Sequence, residues 1–137
     1  MKAVIVGCGR VGSAVAKQLV ADGWDVTCVD EDEGALALLG AWRGGFVLGH
    51  ALDAAVLDRA GVSEADAAVV ATDGDNTNIV IGKVLQKRWE VPCVVVRVLD
   101  PARAAFYEER GLRTVCPTKT AISVISEAVR ATADTPA

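Results

Sequence analysis

Hydrophobic residues along this chain fall into two alternating patterns. Short runs rich in β-branched residues predict strands, and they lie at residues 3–6, 26–29, 46–48, 67–71, 94–96 and 114–116. Between these runs, apolar residues recur every three or four positions, as at Val11, Val15 and Leu19, which is typical of amphipathic helices. Continuous apolar runs suit parallel strands, because helices cover such strands on both faces.

Capping residues support the predicted helices. Asp53 is placed to cap a helix that ends before Gly61. Asp100 followed by Pro101 predicts the start of another helix, which Gly111 closes.

Strands that alternate with helices in this way predict an α/β fold. We expect a Rossmann-type, doubly wound, parallel sheet of six strands with right-handed crossovers, in a single domain. That domain is predicted to span residues 1–131, with its last helix at residues 118–131. Residues 132–137 are predicted to form a disordered tail.

Composition and charge exclude several classes of protein. The 137 residues are 52% hydrophobic, which is enough for one core, but no apolar stretch approaches the length of a membrane helix. Met1 leads directly into the first strand without a basic leader, so a soluble cytoplasmic protein with no direct membrane insertion is expected. A net charge of −4 with no basic patch argues against nucleic acid as a partner.

The cysteines and the one histidine do not have the spacing of a metal site. Cys8, Cys28, Cys93 and Cys116 form no C-x-x-C pair, and His50 is the only histidine. We therefore predict reduced thiols and no bound metal.

The motif most directly linked to chemistry follows the first predicted strand. Gly7, Gly9 and Gly12 form G-x-G-x-x-G where the first helix opens. In this position the first glycine permits a tight turn, the second lets a phosphate approach the backbone, and the third allows close helix–strand packing. The helix N-terminus then offers N–H groups to an anion.

An acidic residue completes this nucleotide-binding pattern. Asp30 ends the second predicted strand, 18 residues beyond Gly12. A carboxylate there accepts hydrogen bonds from ribose hydroxyls and repels a 2′-phosphate. The pattern predicts an adenine nucleotide, NAD(H), ATP, ADP or AMP, and disfavours NADP.

The residues needed for catalysis are not evident. The only tyrosine, Tyr107, has Gly111 four positions later, so the Tyr-x-x-x-Lys pair of short-chain dehydrogenases is missing. His50 has no plausible acid partner beyond the capping residue Asp53. We predict no catalytic residues and no enzyme activity, with a dehydrogenase fragment kept as an alternative.

Seven segments together resemble the N-terminal nucleotide-binding domain of TrkA/KtrA proteins, which regulates potassium conductance (the RCK domain). They are GCGRVG at 7–12, VD at 29–30, GHA at 49–51, VLDRAG at 56–61, ATDGDNTN at 71–78, VRVLDP at 96–101 and GLRTVCP at 111–117. They follow one another in the family's order and cover nearly the whole chain.

The resemblance implies a role for individual residues in the phosphate loop and on the ribose side. The expected nucleotide-binding residues there are Gly7, Cys8, Gly9, Arg10, Val11, Gly12, Asp30 and Glu31. Of these, Arg10 is expected to add a charged contact to the phosphates, and Asp30 to hold the ribose.

Further residues of the site are implied at the ends of later strands. Thr72 and Asp73 are expected to line the cleft. Arg97 is expected to project toward the phosphates or a neighbouring subunit, with a plain surface arginine as the alternative. His50 and Ala51 are expected near the adenine, where His50 either responds to pH or changes base preference, or is simply a hydrogen-bonded loop residue.

The function implied by the resemblance is regulatory. The chain is expected to be a cytoplasmic regulatory subunit of a bacterial potassium uptake system, or its N-terminal domain, peripheral at the inner face of the cell membrane. Its expected partners are a potassium-translocating membrane subunit and further copies of itself, in a homodimer that assembles into a ring, with the last helix crossing between subunits. A module that senses the NADH/NAD ratio for another partner is an alternative.

Length is a departure from the family. TrkA-like proteins usually continue into a smaller C-terminal ligand-binding domain, so the chain is expected to be either a stand-alone form or a truncated one.

Overall fold

A computed structural model describes residues 1–134 as strands that alternate with helices. The strands are β1 (Lys2–Val6), β2 (Asp25–Asp30), β3 (Gly45–Leu48), β4 (Ala67–Val70), β5 (Cys93–Arg97) and β6 (Arg113–Val115). The helices are α1 (Arg10–Ala21), α2 (Ala35–Leu39), α3 (Ala54–Arg59), α4 (Asp75–Lys87), α5 (Pro101–Glu108) and α6 (Pro117–Ala133). A short 3-10 helix, Val62–Glu64, follows α3.

The strands form one parallel sheet in the order β3-β2-β1-β4-β5-β6. This is the predicted doubly wound fold, and each predicted strand lies within about one residue of an observed one. The strand order reverses between β1 and β4, so the carboxyl ends of these strands flank a crevice. The predicted caps are also confirmed, because Asp53 accepts from Ala55 N at 3.0 Å and Asp100 from Ala102 N at 3.1 Å.

Two apolar clusters cover the two faces of the sheet. On one face, β1 and β2 pack Ile5 and Cys28 against Ala16 of α1 and Leu39 of α2. On the other face, side chains of β1, β4 and β5 pack against α3, α4 and α5 in a larger cluster. Alternate residues of β1 thus face different layers of helices, with Ile5 in one cluster and Val4 and Val6 in the other.

Helix α6 departs from this layered arrangement. Its residues are exposed or half-exposed along its whole length, with Ile122, Val124, Ile125 and Val129 between 57% and 68% exposed. On the sheet, Val69 of β4 and Val95 of β5 are likewise only partly buried. An apolar helix and part of an apolar sheet face are therefore both left accessible.

The end of α6 corrects the predicted boundary of the last helix. The helix runs from Pro117 to Ala133 and not from 118 to 131, so the first two residues of the predicted tail are helical. Residues 135–137 of that tail lie outside the described residues.

Candidate functional site

The loop between β1 and α1 is shaped by its glycines. Gly7 has a φ of +88°, and a Cβ there would lie 2.7 Å from backbone atoms of Ala71 and Thr72. A Cβ on Gly12 would collide with the carbonyl oxygen of Gly7, whereas a Cβ on Gly9 would meet no atom within 4 Å. The first and third glycines therefore let the backbone pack closely, and the second faces open space in front of the helix.

Asp30 is tied to this loop by its own hydrogen bonds. Its Oδ2 accepts from the N–H of Cys8 at 2.8 Å, and its Oδ1 accepts from the N–H of Asp32 at 2.9 Å. The carboxylate is thus held at the mouth of the loop, and each oxygen keeps a second lone pair for a ligand hydroxyl. The same bond means that the N–H of Cys8 points at Asp30 rather than at a phosphate.

A cleft of about 490 Å³ opens above the carboxyl ends of the strands, within the size range of small-molecule sites. The lining includes nine of the predicted site residues, which are Gly7, Cys8, Gly9, Asp30, Glu31, His50, Ala51, Thr72 and Asp73. These lie at the carboxyl ends of β1, β2, β3 and β4 or in the loops that follow them, and the fold brings them together at the switch point.

His50 and Glu31 meet at the β2–β3 side of the cleft. His50 Nε2 lies 3.4 Å from Glu31 Oε2, and His50 Nδ1 accepts from the N–H of Leu52 at 3.3 Å. Because Nδ1 is the acceptor, a neutral ring carries its proton on Nε2 and donates it toward the glutamate. His50 is therefore hydrogen-bonded within its loop, and its carboxylate neighbour is Glu31 and not Asp53, the acid partner that the sequence suggested.

A buried amide organises the β4 side. Asn78, 1% exposed, donates from Nδ2 to the carbonyl oxygens of Thr72 and Arg97, both at 3.0 Å. Its Oδ1 accepts from the N–H of Thr72 at 3.0 Å and from the Thr72 hydroxyl. Asn78 thereby fastens the ends of β4 and β5 to each other and to α4.

Four predicted site residues lie outside the lining of the cleft: Arg10, Val11, Gly12 and Arg97. Arg97 donates from Nη2 to the carbonyl oxygen of Thr72 at 2.7 Å and lies 3.8 Å from the Asp73 carboxylate. Its guanidinium therefore holds the end of β4 in place through the Thr72 carbonyl oxygen, although Arg97 itself does not line the cleft. The backbone N–H groups at the start of α1 still face the mouth of the loop, as at any helix N-terminus.

Sequence reasoning missed several residues of the cleft and its support. The lining also contains Asp32, Leu38, Thr77 and Gly74. Leu38 is 46% exposed and supplies an apolar side chain to the lining. In the sequence, Leu38 stands beside Leu36 and Leu39, and nothing there indicates that Leu38 is the leucine that lines the cleft. For Asn78 the signal was its position three and seven residues before Ile81 and Leu85, on the apolar face of the helix.

The Cys8 side chain has no place in the cleft. It is fully buried, and the adjacent Cys28 thiol together with burial raises the pKa of the Cys8 thiol. A thiol kept protonated in this way is an inert core group, so only the backbone of Cys8 lines the site. Within residues 1–134, no cluster of His, Cys, Asp or Glu side chains is arranged to hold a metal ion.

The parallel sheet, its strand order and a glycine loop beneath a cleft at the switch point define a Rossmann-type domain. A sequence model of the TrkA-N domain matches residues 3–118. The chain therefore belongs to the TrkA-N domain family, as the sequence predicted.

Individual relatives agree with this assignment. The "Trk system potassium uptake protein TrkA" of Streptomyces coelicolor is 40% identical over 116 residues, covering 84% of this chain and 52% of that protein. This chain thus spans about half the length of that relative. Relatives of this kind are named as components of a transport system and not as enzymes, in agreement with the prediction of no enzyme activity.

Solved structures share the fold at low sequence identity. The TrkA-N domain of the inner membrane protein ybaL from Escherichia coli has a TM-score of 0.82 at 20% identity, covering 93% of this chain and 95% of that one. The Kef C-terminal domain of Shewanella denitrificans in its AMP-bound form has a TM-score of 0.80 at 23% identity, covering 95% of this chain and 80% of that one.

No helix among the described residues is long and apolar enough to cross a bilayer.

Proposed function

We propose that this chain is the nucleotide-binding regulatory domain of a potassium uptake system, which it controls by binding an adenine nucleotide in the cleft. The observation that carries the proposal is the glycine loop of a TrkA-N domain opening into a cleft whose opposite walls carry Asp30 and Thr72. The relative from Streptomyces coelicolor is named for potassium uptake, which supports the transport context.

The arrangement of the cleft supports an adenine nucleotide as the ligand. The base would lie between Leu38 and His50, the ribose hydroxyls would donate to Asp30, and a phosphate would accept from the first amides of α1 in front of Gly9. AMP bound to the structurally similar Kef domain supports the same class of ligand. The carboxylates at the ribose side disfavour a 2′-phosphate, so NADP is expected to bind poorly.

The accessible apolar surfaces support self-association. Ile122, Ile125 and Val129 recur at three- and four-residue spacing on α6 and are all more than half exposed. A second copy of the chain would cover this face, in a homodimer whose last helices cross between subunits. In this proposal the dimers assemble further into a ring, beside a potassium-translocating membrane subunit at the inner face of the membrane.

Control of the transporter follows from differential binding. A nucleotide shifts such a ring between two states only as far as its affinity differs between them. No chemical step is needed, so the bound nucleotide is expected to be released unchanged.

The experiment that tests the proposal is rubidium influx in a bacterial strain that lacks its own potassium-uptake regulator. Cells receive the full protein with either the native cleft or Gly9→Val, which blocks the phosphate position, and Asp22→Asn serves as a remote control. Cells with the native protein and cells with Asp22→Asn should show the same rubidium influx. Cells with Gly9→Val should show a lower influx at the same protein level. Identical influx from all three contradicts nucleotide control of a potassium transporter.

A further inference from the structure

The ring of His50 lies between a backbone donor and a carboxylate at the β2–β3 side of the cleft. Its Nδ1 accepts from the N–H of Leu52 at 3.3 Å, and its Nε2 lies 3.4 Å from Oε2 of Glu31. An imidazole nitrogen accepts a hydrogen bond only while it carries no proton. The contact with Leu52 therefore belongs to the neutral ring and is lost when the ring is protonated.

The backbone on both sides of this ring is fixed. The N–H of Gly49 donates to the carbonyl oxygen of Asp30 at 2.9 Å, and the N–H of Asp53 donates to the carbonyl oxygen of His50 at 2.9 Å. Asp53 is itself held at the start of α3, where its carboxylate accepts from the N–H of Ala55. Protonation sets two donors against each other, and with the backbone fixed in this way the imidazole is the part that turns aside.

Glu31 provides a partner for the protonated ring. In the neutral state the Nε2–H of His50 already points toward this carboxylate, and both residues line the cleft. A positive charge on the ring turns that contact into an ion pair, because a charge-assisted hydrogen bond is stronger than one between neutral groups. The hydrogen bond lost on the backbone side is thus offset on the side of Glu31.

The charged groups on the elements next to His50 are all acidic. They are Asp30, Glu31, Asp32 and Glu33 at the end of β2 and in the loop after it, and Asp53 at the start of α3. On the β4 side, the carboxylate of Asp73 lies 3.8 Å from the guanidinium of Arg97, which is outside the lining, as is Arg10. Among the described residues that line the cleft, His50 is therefore the only side chain that can become positively charged.

We propose that protonation of His50 strengthens nucleotide binding, which makes the cleft sensitive to pH. The inference rests on the proposed function, because it concerns the regulation of the same site. Histidine ordinarily changes charge between pH 5 and 8, whereas carboxylates do so at lower pH. A positive charge beside an anionic nucleotide favours binding, so affinity should rise as the pH falls through this range. By reciprocity, a bound nucleotide favours the protonated ring, so binding should take up protons.

Titration calorimetry with AMP at about pH 5.5 and about pH 8 tests this coupling in the native protein and in His50→Asn. Asparagine keeps an acceptor on residue 50 but does not titrate. The phosphate of AMP itself changes charge near pH 6, but it does so for both proteins, so the ratio of their affinities isolates His50. Between the higher and the lower pH, the native protein should gain about three- to fivefold over His50→Asn, a size suited to a side chain that is 55% exposed.

Glu31 provides the second variant. Glu31→Gln removes the partner of the charged ring, so the relative gain at low pH should fall below about twofold. Asp22→Asn makes the same change of charge at the far end of α1 and should keep the native gain. A merely structural His50 would instead make His50→Asn bind AMP more weakly by the same factor at both pH values, which would contradict the coupling.

The change at the ring can be measured without nucleotide. In ¹⁵N-labelled native protein, the amide of Leu52 should shift between about pH 8 and about pH 5.5, because it loses its acceptor. The same amide should stay in place in His50→Asn. The amide of Gly49, which donates to a backbone carbonyl, is the internal control and should change little.

The outcomes separate this inference from the proposed function. If both proteins bind AMP with an affinity ratio that does not change with pH, or if the Leu52 amide does not respond to pH, the coupling is overturned and nucleotide binding stands. If the native protein does not bind AMP at either pH, the proposed function fails and the coupling fails with it.

Discussion

The backbone N–H of Cys8 donates to the carboxylate of Asp30 over 2.8 Å, joining the glycine loop to the end of β2. The acid that is expected to hold the ribose is thus also part of the structure that holds the phosphate loop. A ligand that contacts Asp30 through its ribose and the loop through its phosphate therefore meets two groups that are already fixed relative to each other. Such preorganisation lowers the ordering cost of binding.

Asp30→Asn should weaken adenine-nucleotide binding by about 1.5–3 kcal/mol, because a charged acceptor is lost and the new NH₂ group faces the N–H of Cys8 or of Asp32. Titration calorimetry with AMP measures the loss. Asp22→Asn, remote from the cleft, is the control for net charge. Native affinity in Asp30→Asn would mean that the ribose does not bind there.

A substitution at Gly9 should reduce nucleotide binding without reducing stability, whereas a substitution at Gly12 should reduce the stability of the fold. Gly9 has a φ of −75°, which any residue adopts, and a Cβ there meets open space, so Gly9→Val should fold normally yet lose nucleotide binding more than about 100-fold. Gly12→Ala should lower the free energy of unfolding by more than about 2 kcal/mol, since its Cβ would collide with the carbonyl oxygen of Gly7.

Thermal unfolding and calorimetry on the same two proteins check this contrast. A Gly9→Val protein that folds and binds nucleotide with native affinity would show that phosphates do not occupy the space in front of Gly9.

Asn78→Ala should destabilise the domain by about 2–4 kcal/mol, because it leaves the buried polar groups of Thr72 and Arg97 without their partner. The matched control is Asn76→Ala two residues earlier in the same helix, where the exposed side chain accepts from Arg103, so the loss should stay below about 0.5 kcal/mol. Urea unfolding of both variants gives the two values. Equal, small losses would contradict a structural role for the buried amide.

The homodimer can be tested on the exposed face of α6. Ile125→Glu and Val129→Glu should convert the protein to a monomer without unfolding it, because these side chains are 63% and 68% exposed within one chain. Ser123→Glu, on the same helix away from that face, should stay dimeric. Sedimentation velocity decides between the states, and a native protein that is already monomeric at high concentration would contradict the dimer.

Much of the architecture was predictable from periodicity. The runs at residues 3–6 and 67–71 are strands because buried parallel strands need apolar residues on both faces, and the observed bounds agree. The glycine loop was predictable for a similar reason. Gly7 and Gly12 meet steric requirements of the turn between a strand and a helix, whereas Gly9 leaves open the space in front of the helix.

The orientation of side chains at the cleft was not predictable in the same way. Arg97 ends β5 as expected, but the carbonyl oxygen of Thr72, 25 residues away, fixes its guanidinium. Asn78 stands three and seven residues before Ile81 and Leu85, which places it on the buried face of α4, but this spacing does not reveal which backbone groups its amide binds. Such contacts form only when the ends of β4 and β5 meet in the folded sheet, so the residues next to each other in sequence do not reveal them. The two extra helical residues before Asp134 likewise follow no capping signal.

The most direct test of the central claim, that this cleft binds an adenine nucleotide through its glycine loop, is an NMR titration of ¹⁵N-labelled protein with AMP. We expect saturable shifts at the amides of Gly9, Arg10 and Val11, which face the phosphate, and at Asp32, whose N–H donates to Asp30. Amides of α6 should not move. Saturable shifts that avoid the glycine loop, or no saturable shift at all with AMP, NAD⁺ or ATP, would contradict it.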